Sequence, residues 1–151
     1  MLDFLKDYGV EFGAIGGLAA ACALIYQIIG TRRSRQAAQR AAHEKYTADS
    51  VKLAERFNKI PDALLVWEGK LNPAACPEAQ SLLRQAYGIY HGIYLNHRDG
   101  TFPPRMWDTA RDEMRDFLTF PYARQNLAYA DTIDAEFGRF MRGLTPKKRG
   151  V

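Results

Sequence analysis

The chain has 151 residues, 47% of them hydrophobic and 25% charged, with a formal net charge of +4. Its two cysteines, Cys22 and Cys76, exclude a disulfide framework and agree with a reducing, cytoplasmic setting for most of the chain. The positive excess sits in residues 30–45 and in the tail Lys147-Lys148-Arg149. Residues 46–143 hold 12 basic against 13 acidic side chains, so no basic face for nucleic acid is expected.

Residues 1–11 (MLDFLKDYGVE) carry Asp3, Asp7 and Glu11 against Lys6 alone. The next eighteen positions, residues 12–29 (FGAIGGLAAACALIYQII), contain no charged side chain. As a helix this run is ~27 Å long, close to the ~30 Å hydrocarbon core of a bilayer. A cleaved signal peptide would place its basic residues before the apolar run, not after it. Ala20-Ala21-Cys22 only faintly imitates a lipoprotein box, since Ala19 stands where that box has Leu. A buried helix of a soluble domain seldom runs so long without a charge or abuts three arginines. The run is therefore read as a membrane span over residues 12–30. Arg32, Arg33 and Arg35 follow it directly, which predicts the N-terminus outside and the C-terminal part in the cytoplasm of a bacterial inner membrane. Those arginines are also placed to meet anionic lipid. Within the span, Gly13, Gly17 and Ala21 form a small-residue ridge of the kind that lets two helix backbones approach, and a homodimer is a candidate consequence.

Beyond the span the periodicity is helical throughout, and no stretch alternates with period two. No proline or glycine interrupts the chain from Thr31 to Phe57, so a basic juxtamembrane helix over residues 31–58 is expected to continue from the span. Ala37, Ala38, Ala41, Ala42, Tyr46, Leu53, Ala54 and Phe57 form a stripe along it. Pro61 and Asp62 suit the first turn of a second helix over 63–71. Residues 72–77 read as a loop. Pro77 and Glu78 open a third helix that ends at Asp99-Gly100, and Phe102-Pro103-Pro104 opens a fourth that ends near Phe120.

In the fourth helix Trp107, Ala110, Met114, Phe117 and Leu118 share one side. Asp108, Asp112 and Asp116 run down the other, interleaved with Arg105, Arg111 and Arg115 as a solvated face. Pro121 opens a fifth helix, expected to run to Leu144 with Tyr122, Asn126, Tyr129, Ile133, Phe137, Phe140 and Leu144 in one stripe facing the fourth. The third helix carries a broad aromatic arc. On its opposite face stand Gly88 and Gly92, each costing ~1 kcal/mol relative to Ala. Close approach of another helix to that face would explain the pair, and the third helix is expected at the centre of the bundle.

The predicted architecture is all-α: a short N-terminus (1–11), a transmembrane helix (12–30), the juxtamembrane helix (31–58), a helical bundle (59–145) and a basic tail (146–151). Chemistry-bearing residues are few, and no catalytic residue, cofactor or metal is expected. His91 and His97 lie six apart, ~9 Å along a helix axis, too far to share one ion. His97-Arg98-Asp99 spells a kinase tripeptide without the motifs that accompany it. Tyr87, Tyr90, His91, Tyr94 and His97 form a candidate ligand pocket, although aromatics at helical spacing are ordinarily core.

Residues 90–107 (YHGIYLNHRDGTFPPRMW) and 134–140 (DAEFGRF), with the general layout of the front, resemble uncharacterised bacterial single-pass membrane-anchored helical proteins filed under domains of unknown function. The resemblance implies a bacterial or phage origin and brings no activity. The expected function is a membrane-anchored, cytosolic interaction or scaffold module without catalysis. Its partners would be the bilayer, a second copy, or another membrane or cytosolic protein. The alternatives are a membrane-tethered enzyme or ligand sensor using the tyrosine and histidine pocket, and a small holin-like phage protein.

Overall fold

A computed structural model describes the backbone of residues 3–144 and the side chains of Ala23, Leu24 and residues 26–144. Among these residues the protein is all-α, with seven α-helices and no strand. The chain divides into two compact units, Met1–Ala38 and Gln39–Val151.

The first helix, α1 (Asp3–Lys59), is continuous, as the lack of any proline before Pro61 predicts. It stops because Ile60 precedes Pro61, and the proline ring disfavours the helical region for the residue before it. Ile60 has φ −130°. Among the described residues no helix is long and apolar enough to cross a membrane. Most of the span expected at 12–30, including the side chains of Gly13, Gly17 and Ala21, lies outside the described side chains. Its last part is described. Leu24, Tyr26, Ile28 and Ile29 are exposed, and Thr31 Oγ1 donates to the carbonyls of Gln27 and Ile28 at 2.9 and 3.0 Å.

The second unit begins within α1. From Gln39 onward the helix belongs to the bundle, because Ala42, Tyr46, Leu53 and Phe57 pack against its core. Of the stripe predicted along this helix, Ala42, Tyr46, Leu53 and Phe57 are thus the part that packs, while Ala37, Ala41 and Ala54 are exposed. Helix α2 (Pro61–Trp67) starts at the expected proline but ends four residues before the predicted Leu71. The reason is Gly69, at φ +73°: its N–H bonds the Val66 carbonyl and the Lys70 N–H bonds that of Leu65, the paired bonds of a glycine-terminated helix. A 3-10 turn over Pro73–Ala75 follows, capped by the Asn72 side chain, which accepts from the Ala74 N–H at 2.9 Å.

Helix α3 (Glu78–Arg98) ends in the same way at Gly100, φ +71°. It is the central element and packs against α2, against α4 (Pro104–Phe117) and against α6 (Ala128–Ile133). The α4 stripe is buried as predicted at Ala110, Met114, Phe117 and Leu118. It meets α3 through Phe117, whose ring lies 5.0 Å from that of Tyr87.

The long fifth helix is where expectation and structure part. Residues 121–144 form three short helices, α5 (Pro121–Gln125), α6 and α7 (Ala135–Gly143). Asp134, extended at φ −159°, breaks the run and caps α7, its Oδ1 accepting from the N–H groups of Glu136 and Phe137 at 2.7 and 3.1 Å. Helix α7 then folds back on α6, where Gly138 sits against Asp131 so closely that an added Cβ would lie 3.0 Å from its Cα. The predicted single stripe therefore belongs to two faces of a helical hairpin.

Trp67 sits at the centre of the core. Its indole N–H donates to the Ala79 carbonyl at 3.1 Å, and its ring meets Phe57, Phe117 and Phe120 edge to face at 4.4, 5.5 and 5.6 Å. Such contacts are worth ~0.5–1.5 kcal/mol each beyond their buried area.

Candidate functional site

The five residues of the predicted pocket do not converge. Tyr87 is fully buried, and its hydroxyl donates to the Ala123 carbonyl at 2.8 Å. His91 faces Asp134, with Nε2 and Oδ2 3.6 Å apart, and its ring lies 5.2 Å from Phe137. Tyr94 packs on Phe137 and Phe140, at 5.6 and 5.1 Å. His97 stacks face to face on Trp107, 3.6 Å between centroids and 4° from parallel. The arc is filled by rings from α4 and α7, so its aromatics serve as core. Tyr90 differs, because it lines a cavity.

That cavity, about 390 Å³, lies along α1, α2, α3 and α4 within the second unit. Leu53 and Phe57 come from α1, Leu64 and Trp67 from α2, Ile89 and Tyr90 from α3, and Phe120 from the turn before α5. Its polar groups are the Ser50 hydroxyl, the Asn58 amide, the Tyr90 hydroxyl and the Glu113 carboxylate. Glu113 Oε2 accepts a hydrogen bond from the Tyr46 hydroxyl. Burial, reinforced by the Glu113 carboxylate, pushes the Tyr46 hydroxyl well above the ordinary tyrosine range. Burial does the same to Tyr90, helped by the charges of Glu113 and Asp116. Both phenols are therefore neutral donors at physiological pH. The volume and the apolar wall with a few polar groups match a small-molecule site.

Beside it a second groove of about 360 Å³ runs between α1 and α3, with Lys45 and Asp49 on one wall and Gly88 and Gly92 on the other. A Cβ added at either glycine would meet nothing within 4 Å. The close helix approach expected at this pair is thus replaced by an open groove.

The remaining candidates are quickly placed. Arg32, Arg33 and Arg35 are exposed. Asp108 and Asp112 pair with Arg111 and Arg115 at 2.9 and 2.6 Å, one turn on, as the interleaved charges predict. Among the described residues no group of three His, Cys, Asp or Glu side chains is arranged to hold a metal ion. Cys76 is buried as a free thiol.

Sequence reasoning missed Trp67 and Glu113 as residues that line the cavity with Tyr90, and Tyr46 as the donor to Glu113. The signal available was the stripe at 46, 53 and 57, which had to face something; nothing in it named α4 as the element bringing the acid. No family model, curated protein or solved structure matches this chain.

Proposed function

We propose that this chain is a non-catalytic interaction module anchored in a bacterial cytoplasmic membrane by residues 12–30, with its N-terminus outside and its bundle in the cytoplasm. The proposal includes a kinship with the uncharacterised bacterial anchored proteins that residues 90–107 resemble. The observation that carries it is the described end of the uncharged run. Leu24, Tyr26, Ile28 and Ile29 are 59, 81, 50 and 44% exposed, and the exposed arginines 32, 33 and 35 follow at once. Each large apolar side chain left in water forgoes roughly 1.5–3 kcal/mol that burial would recover. A bilayer supplies that burial and leaves the arginines at its surface. Gly13, Gly17 and Ala21 then give two copies a ridge on which to pair inside the membrane.

The test is the full chain with Asp3→Cys, treated in intact cells with a membrane-impermeant thiol reagent. Modification at position 3 is expected, and protection there overturns the orientation. Release of the protein from membranes by alkaline carbonate overturns the anchor itself. Crosslinking in membranes that is unchanged by Gly17→Leu rules out the ridge.

A further inference from the structure

We propose that the cavity between α1, α2, α3 and α4 binds a small organic cation, an ammonium group carried on an aromatic or short aliphatic body. Three observations lead there. The cavity is about 390 Å³ and open to solvent on one side, at the small end of the range for ligand sites, so the part of an occupant that it holds is compact. Its wall includes four aromatic side chains, Phe57, Trp67, Tyr90 and Phe120, and an aromatic ring attracts a cation through its quadrupole where its face is reached. Its one charged wall residue is Glu113.

The state of that carboxylate decides the sign of the ligand. Glu113 accepts from the Tyr46 hydroxyl, a neutral donor that orients the carboxylate without cancelling its charge. Among the described residues no Lys, Arg or His nitrogen lies within 4 Å of it. Asp116 adds a second negative field, felt at Tyr90 together with that of Glu113. An anion entering the cavity meets the repulsion of the carboxylate, and a neutral molecule gains at most a hydrogen bond to it. An ammonium group gains from the carboxylate and the rings together, while its apolar body covers Leu53 and Leu64. The tyrosine hydroxyl holds the carboxylate at the cavity wall before the ligand arrives, which lowers the ordering cost of binding.

The experiment is isothermal titration of the full chain, purified in an uncharged maltoside detergent, with phenethylamine, its neutral analogue phenethyl alcohol and the anion 3-phenylpropionate. The amine is expected to bind saturably at one site, about tenfold or more tighter than the alcohol. The anion is expected not to bind. Glu113→Gln, checked for helicity by circular dichroism, is expected to bring the amine down to the level of the alcohol. Ala54→Phe, which places a ring into the cavity from α1, is expected to abolish binding of both. Equal affinity for amine and alcohol in the wild-type chain overturns the proposal without recourse to any variant. Amine binding unchanged in Glu113→Gln or in Ala54→Phe, or no saturable binding of the amine, overturns it as well.

Discussion

Tyr46 on α1 donates its hydroxyl to Glu113 on α4, a link across 67 positions of sequence. The same tyrosine ring meets Phe102 edge to face at 6.1 Å, so the contact has an apolar part and a polar part that can be separated. Tyr46→Phe keeps the ring and removes the hydrogen bond, and it is expected to cost about 1–2 kcal/mol in urea denaturation. Glu113→Ala should cost a similar amount, and the double variant clearly less than the sum. Strict additivity of the two would show that the bond contributes nothing.

Alkali should destabilise the fold through three tyrosines. Burial raises Tyr46, Tyr87 and Tyr90 well above the ordinary value of 10.0, with nearby carboxylates adding to the effect at Tyr46 and Tyr90. A raised acid is protonated in the folded chain while its unfolded counterpart ionises. The stability it contributes is therefore complete below about pH 10 and falls as the pH climbs through the folded value. The urea midpoint is expected to decline steadily from pH 10 upward, with a shallower slope in Tyr90→Phe. In an absorbance titration at 295 nm, these three of the eight tyrosines should ionise only as the chain unfolds.

The glycines divide into two kinds with opposite predicted signs. At Gly138 a Cβ would lie 2.0 Å from Asp131 Oδ1 and 3.0 Å from its Cα, so Gly138→Ala must turn the Asp131 carboxylate aside and shift α7 slightly against α6. A loss of about 1–3 kcal/mol is expected. At Gly88 and Gly92 a Cβ meets nothing within 4 Å, and both stand inside α3. Gly88→Ala and Gly92→Ala should each stabilise by about 0.5–1 kcal/mol, because the alanine unfolded chain has less freedom to lose. Thermal unfolding followed by circular dichroism distinguishes the three.

Asp134 makes α7 sensitive to acid. The backbone N–H of Phe137, with that of Glu136, holds its carboxyl below the ordinary 3.8 despite partial desolvation. A depressed carboxyl contributes stability above its unfolded value, and that contribution is lost as the pH falls through the folded one. Asp134→Asn keeps a capping oxygen, so stability at pH 7 should change little while the decline below about pH 4 becomes shallower. Asp134→Ala should be less stable at every pH. Denaturation midpoints between pH 2 and pH 7 check both.

Most helix boundaries were legible because they are local chemistry. Pro61, Pro104 and Pro121 each open a helix, and Gly100 closes α3, through constraints on one or two residues. The α4 stripe, and the α1 stripe at Ala42, Tyr46, Leu53 and Phe57, were legible from the 3.6-residue period. The fold-back at Asp134 was not read, because both arms of a helical hairpin keep a 3.6-residue period, and rings at 122, 129, 137 and 140 fit a continuous helix equally well. An aspartate immediately before Ala-Glu-Phe was the available sign of a new helix start. The aromatic arc of α3 was visible, but which of its rings would line a cavity depended on where α4 and α7 lay. Tyr90 and His97 are indistinguishable by periodicity, yet one borders open space and the other is stacked on Trp107.

The two tryptophans give the protein a built-in pair of optical reporters. Trp67 is held by rings from α1, α4 and the turn after it, and by a carbonyl from α3, so its emission should move red in one step when those elements part. Trp107 lies flat against the imidazole of His97, so its emission should report the parting of α4 from the far end of α3. Trp107→Phe then leaves a signal for global unfolding, and Trp67→Phe leaves one for the far end of α3.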